Sequence, residues 1–330
     1  MIPLQPYLLA ATTAYQLIAS WNEDRQFPPG QLIDMGGSTL HLYAMGQGSP
    51  TVVLDHSLGG IEGYLLIQKI SKITRVCIYD RAGYGWSESS SNPRTSEQIV
   101  SELDSLLERA KIEPPYLLIG DSFGSYNVRL YTHRYPEKVM GMILTDGLHE
   151  VGMLNMPLPV KVLKFFFMSG FLMSTLGAAL GILRLLRNLG AFELIKPELR
   201  RIDPTTLNLV KRSFCRPKHW VTMFREMLDL DTSSRQLQAA NDFGTLPIVL
   251  ITASSFFRPS LWTLGLPIRA VELLRDKMHA ELLNLSADCV RLQAEQSSHF
   301  VWIDRPEAIL NAIEIILRKG DFRNISVVDR

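Results

Sequence analysis

Neither sign of charge dominates this chain: 34 Lys and Arg stand against 33 Asp and Glu in 330 residues, a formal net of +1. A nucleic-acid binder shows a basic excess or a basic stripe, and neither is present, so no nucleic-acid partner is expected. Cysteine is scarce. Cys77, Cys215 and Cys289 lie far apart, with no C-x-x-C pair and no His/Cys cluster at metal-ligand spacing. An odd, sparse set argues against a disulfide framework and fits a reducing compartment. Cys77 lies within the apolar run Val76–Tyr79 and reads as a buried small hydrophobe. Internal repeats, low-complexity tracts and long charge blocks are also missing.

What is abundant is apolar material, 46% of the chain, enough for a large core with a smaller inserted domain. Two apolar stretches stand out. Pro3 to Trp21 has no basic residue before it and no small-residue cleavage pattern after it, unlike a secretory signal. With Gln5 and Gln16 inside, it is marginal as a membrane span, and reads as an anchor or as a helix docked on the domain. Phe165 to Leu183 is free of charge and bracketed by Lys164 and Arg184. The expected location is cytoplasmic or membrane-associated rather than secreted.

Residues 31–35 and 39–44, joined by Gly36-Gly37, read as a hairpin. Further strands are expected at 51–55, 74–79, 116–119, 139–145, 247–252 and 289–294. Between them lie helical patterns. The clearest is 96–110, whose Ile99, Leu103, Leu106 and Leu107 share a face, with Thr95 and Gln98 as a capping box. Another is expected to begin at Asp304. Strands alternating with helices imply a mostly parallel sheet covered on both faces. The alternation breaks at about 150–243, which reads as a helical insertion. The expected division is therefore 1–30, an apolar helix; 31–150, first part of the core; 151–243, a helical cap; and 244–330, second part of the core.

Gly120-Asp121-Ser122-Phe123-Gly124 follows one of these strands and opens a helix expected over 122–135. This is G-x-S-x-G in the strand–turn–helix context that puts a serine on a strained turn, its Oγ clear of the sheet. The Phe123 N–H, at the helix start, then faces the developing oxyanion. Asp55-His56-Ser57-Leu58-Gly59-Gly60 forms a tight turn after an earlier strand and offers the Leu58 N–H as the second oxyanion donor. His56 is expected to hold this loop by hydrogen bonding, not to act as a base.

Tyr79-Asp80-Arg81-Ala82-Gly83-Tyr84-Gly85-Trp86-Ser87 resembles the Y-D-R-x-G-x-G-x-S loop of the α/β-hydrolase superfamily, where it is structural. The resemblance spans about 31–150 and 245–318 and leaves the N-terminus and the insertion uncovered. It implies an eight-stranded α/β-hydrolase fold with an inserted cap, and identifies His299, in Ser297-Ser298-His299-Phe300, as the base position. The acid is less direct. In many relatives it follows the strand that here ends at Thr252, yet Ala253-Ser254-Ser255-Phe256-Phe257 carries no carboxylate. Some members place it one strand earlier, which nominates Asp146, with Glu150 as the alternative; a third reading leaves Asp146 as a loop cap, with a water or Asp276 helping the imidazole.

The resemblance thus implies a Ser122–His299–Asp146 serine hydrolase acting on carboxylic esters, with no metal or organic cofactor. Epoxide hydrolases and dehalogenases of this fold place an aspartate where Ser122 stands. Amide or C–C hydrolysis by the same residues, or ligand binding without catalysis, are the alternatives. The phenylalanines of the cap suggest a lipophilic substrate and peripheral membrane contact. A single span within 165–183 would put Ser122 and His299 on opposite sides of the membrane. A cap helix lying in the interface, with Lys161, Lys164, Arg184 and Arg187 near headgroups, is physically easier.

Overall fold

The computed structural model describes residues 5–257, 263 and 265–325. Eight strands form one sheet: β1 (Gln31–Asp34), β2 (Thr39–Met45), β3 (Thr51–Asp55), β4 (Val76–Asp80), β5 (Tyr116–Asp121), β6 (Val139–Thr145), β7 (Ile248–Ala253) and β8 (Cys289–Ala294). Their order is β1-β2-β4-β3-β5-β6-β7-β8. The first two pairings are antiparallel and all others parallel.

Every residue of β3, β5 and β7 is buried. That follows from parallel strands covered on both faces, which need unbroken apolar runs. Alternate residues feed two cores. Val53, Leu118 and Leu250 pack with Leu103, Leu106 and Leu107 on one face; Leu54, Ile119 and Ile251 pack with Ile309, Ile313 and Ile316 on the other. The edge strand β8 carries exposed Arg291 and Gln293, as edges that resist further pairing do.

Two expected helix starts differ. Thr95 accepts from the Gln98 N–H, but the Gln98 amide turns to Glu102, so only half of the capping box forms. The last long helix is Pro306–Ile325, not one opened by Asp304. The residue before a proline is biased away from helix, and Arg305 is non-helical. Asp304 instead accepts from the Ser298 N–H and hydroxyl.

Between β6 and β7 the described residues are helical or irregular. Helix Leu158–Ala179 buries Val160, Leu163, Met168, Phe171 and Ala178 and packs on helix Pro217–Leu228. Its outer face leaves Leu158, Val162, Phe165, Phe166, Leu172, Met173 and Leu176 exposed. Among the described residues it is the one helix long and apolar enough to cross a membrane by length and composition, and 22% of its apolar window is buried. Helix Gln5–Asp24 docks on the same insertion. Gln16 donates to the Cys215 carbonyl and accepts from Arg184. Arg184, Arg187 and Arg216 converge on Glu23. This departs from the expected row of four headgroup-facing cations: Arg184 is buried, Arg187 pairs with Glu23 and Lys164 pairs with Asp231, so Lys161 alone is exposed.

Candidate active site

The site lies at the C-terminal edge of the parallel strands, the usual ligand edge of an open α/β sheet. Ser122 follows β5 with φ +49°. A left-handed serine costs on the order of 1–3 kcal/mol and persists where its surroundings enforce it. Here the backbone enforces it. A Cβ on Gly120 would sit 2.6 Å from Gly124 backbone atoms, and one on Gly124 would sit 2.3 Å from the Asp55 carbonyl oxygen. The two glycines therefore let helix Gly124–Arg134 start against both β5 and the turn after β3. The Ser125 hydroxyl donates to the Ser122 carbonyl at 2.6 Å and accepts from the Leu148 N–H at 2.9 Å, tying this turn to the one after β6.

Asp146 follows β6, also left-handed at φ +42°. Its backbone is fixed next to Ser122: the Ser122 N–H donates to Thr145 and the Asp146 N–H to Ile251, at 2.9 and 2.7 Å. His299 reaches it from the loop after β8. The imidazole Nδ1 and Asp146 Oδ2 are 2.5 Å apart. Phe256 stacks on the imidazole with ring centroids 4.4 Å apart, and the Trp302 indole donates to Thr145 Oγ1, anchoring the His299 loop beneath. Burial alone would raise the Asp146 carboxyl. The adjacent His279 imidazole and the bond from His299, with the charges of His299 and Arg275, outweigh it and hold the group well below the usual carboxylate range.

Phe123 is buried at the helix start, and Leu58 is half-buried in the turn that Gly124 approaches. Arg81 holds that turn: Nη1 donates to the Asp55 carboxylate and the His56 carbonyl, and Nη2 to the Ser57 carbonyl. Its Nε meets Glu226, which also accepts from the Tyr84 hydroxyl, so the Tyr-Asp-Arg loop joins sheet to insertion. His56 accepts from the Gly63 N–H; burial, with the Arg81 charge, pushes its pKa down to about 3. It is a neutral loop support.

Residues 50–169 match the family described as the alpha/beta hydrolase fold. The chain has the α/β-hydrolase fold. It is 28% identical over 121 residues to the uncharacterized protein YbdG of Bacillus subtilis (strain 168), 36% of this chain and 37% of that protein. It is 29% identical over 141 residues to the 2-hydroxy-6-oxononadienedioate/2-hydroxy-6-oxononatrienedioate hydrolase of Escherichia coli (strain K12 / DH10B), 40% of this chain and 49% of that enzyme. Thus less than half the length of either curated relative is spanned. The crystal structure of the enol-lactonase from Burkholderia xenovorans LB400 superposes with a TM-score of 0.59 at 16% identity, covering 87% of this chain and 100% of that one.

Within this α/β-hydrolase the alternative acids lie elsewhere. Glu150 is bound by Arg129 at 3.0 and 3.3 Å and by the Asn241 amide at 2.6 Å. Asp276 is exposed. Sequence reasoning missed Arg275 and His279, whose Nε and Nε2 approach Asp146 Oδ1 at 3.1 and 3.2 Å. Their spacing of four residues on helix Ile268–Leu282 was a usable signal, since it sets two side chains on one helix face.

Proposed function

We propose that this protein is a serine hydrolase of lipophilic carboxylic esters, with Ser122 as nucleophile, His299 as general base and Asp146 as the acid that orients it. The carrying observation is the short His299–Asp146 bond beside a strained serine on the same sheet edge. Neutral His299 would take the Ser122 proton as Oγ attacks the ester carbonyl and return it to the leaving alcohol. Asp146 would hold the Nδ1–H tautomer and stabilise the imidazolium. The Leu58 and Phe123 N–H groups are assigned to the oxyanion. The acyl group would then leave Ser122 by hydrolysis through the same base.

The lipophilic substrate class rests on the exposed apolar face of helix Leu158–Ala179, which adjoins helix Gln5–Asp24 with its own exposed Leu8, Leu17, Ile18 and Trp21. No carboxylate occurs between residues 158 and 192, a composition suited to an anionic lipid surface. Ser122 and Asp146 precede this helix and His299 follows it, which favours peripheral contact over a crossing. The experiment is labelling with a fluorophosphonate probe and hydrolysis of esters of increasing chain length, with Ser122→Ala as control. Labelling and turnover should both vanish in the folded variant; turnover that survives would refute the mechanism.

A further inference from the structure

The loop after β7, where many relatives carry the acid, is occupied here by a guanidinium. Arg275, on helix Ile268–Leu282 and 5% exposed, spreads its three nitrogens over three partners. Nε donates to Asp146 Oδ1 at 3.1 Å, Nη2 to the Ala253 carbonyl at the end of β7 at 2.5 Å, and Nη1 to Glu272. Glu272 in turn accepts from the Phe256 N–H at 2.7 Å, and Phe256 is the ring stacked on His299. The Ala253 N–H completes the set by donating to Asp146 Oδ1 at 3.2 Å. One side chain thereby fixes the carboxylate and the loop that carries the ring against the imidazole.

We infer that Arg275 is a positioning residue of the hydrolytic centre: it clamps Asp146, displaced to the end of β6, to the end of β7, and tempers the negative charge that His299 meets. This rests on the serine-hydrolase reading above. The oxygen facing Arg275 is Oδ1, which leaves Oδ2 for His299. The fork geometry of a guanidinium suits this role, since a lysine offers a charge but no fixed set of donors. His279 adds a neighbour to Oδ1 at 3.2 Å. The other titratable groups facing the pair are Glu272 on the same helix, Asp121 beneath the serine turn and Glu62 after β3.

A merely structural arginine and a charge-tempering clamp differ in their pH signature. Removing the cation leaves Asp146 uncompensated and favours the imidazolium, so the base is lost at higher pH. In Arg275→Gln the acid limb of kcat/KM should move up by roughly one pH unit, a tenfold change in the protonation equilibrium. Loosening of the carboxylate should also lower kcat, by about 10²-fold at most. Arg275→Lys keeps the charge and loses the fork, so its kcat falls while the limb stays with the parent. Thermal melts confirm that each variant is folded. A folded Arg275→Gln enzyme with the parent limb, or one whose limb and kcat match those of Arg275→Lys, overturns the clamp. Should Arg275→Gln not fold, a limb that moves in Arg275→Lys overturns it instead.

The hydrolase reading fails separately, if the parent neither hydrolyses ester nor takes up fluorophosphonate. In that event the downfield His299 Nδ1–H proton resonance decides the clamp. It should weaken or shift in Arg275→Gln, and an unchanged resonance refutes it.

Discussion

Strands β3, β5 and β7 and helix Leu158–Ala179 are all rich in apolar residues and opposite in use. In β3, β5 and β7 every residue is buried. The helix buries one stripe and turns Leu158, Val162, Phe165, Phe166, Met173 and Leu176 outward. Apolar residues in the strands therefore act through packing, which is lost if a methylene is removed. Those on the outer helix face have little packing to lose, and under the proposed lipid contact their contribution would come from what they meet outside the protein. The seam between the two regions is ionic, with Arg81 of the sheet side bound to Asp55 and to Glu226 of the insertion.

The largest expected effect separates chemistry from surface. Asp146→Asn keeps the shape, removes the charge and favours the wrong imidazole tautomer, so kcat should fall by a factor on the order of 10⁴. Association with anionic liposomes should survive it. Phe166→Glu combined with Met173→Glu should do the reverse, weakening co-sedimentation and reducing long-chain ester turnover more than short-chain turnover. Parent-like liposome binding by the doubly charged variant would leave the outer face without this role. Glu150→Gln gives the control, because its carboxylate serves Arg129 and not His299.

A pair of alanines tests the packing half of the contrast. Ile119→Ala, in the buried middle of β5, should cost about 2–5 kcal/mol in chemical denaturation. Phe166→Ala, at a ring 66% exposed, should stay within about 0.5 kcal/mol. Equal losses would mean that the outer face is packed in solution, for instance against a second copy.

The same contrast explains what the sequence disclosed. The inner strands were legible because burial on both faces writes itself as runs of Val, Ile and Leu, as in Thr51–Asp55 and Ile248–Ala253, whereas the exposed β1 was legible through the Gly36-Gly37 turn that joins it to β2. The serine turn was legible because its two glycines answer to backbone contacts that no other residue permits. The arrangement around Asp146 was only half legible. A carboxylate at a strand end can be read locally, whereas Arg275 reaches it from 129 residues away. The pairing of Arg184 with Glu23 and Gln16 was hidden for the same reason, as was the burial of Phe171 beside Trp220. Long-range ionic partners leave no periodicity behind.

The last expected effect depends on pH and concerns the seam itself. His219 is fully buried between Tyr84 of the sheet side and Phe214 and Trp220 of the insertion, with its Nδ1 2.9 Å from the Ser213 hydroxyl. Burial, with the charges of Lys218 and Arg81, pushes its pKa down to about 3. An unfolded histidine titrates near ~6.5. Between these values the unfolded chain binds the additional proton, so this residue's share of stability is whole above about pH 6.5 and drains as pH falls. The slope is about 1.4 kcal/mol per pH unit, which amounts to roughly 2 kcal/mol by pH 5. His219→Gln retains an acceptor for Ser213 and cannot titrate. Its stability deficit relative to the parent, measured by urea denaturation at pH 7.5 and pH 5, should therefore shrink by about that amount. A deficit that is the same at both pH values would mean that the imidazole takes up its proton within the fold, and that the seam is wetter than its aromatic neighbours imply.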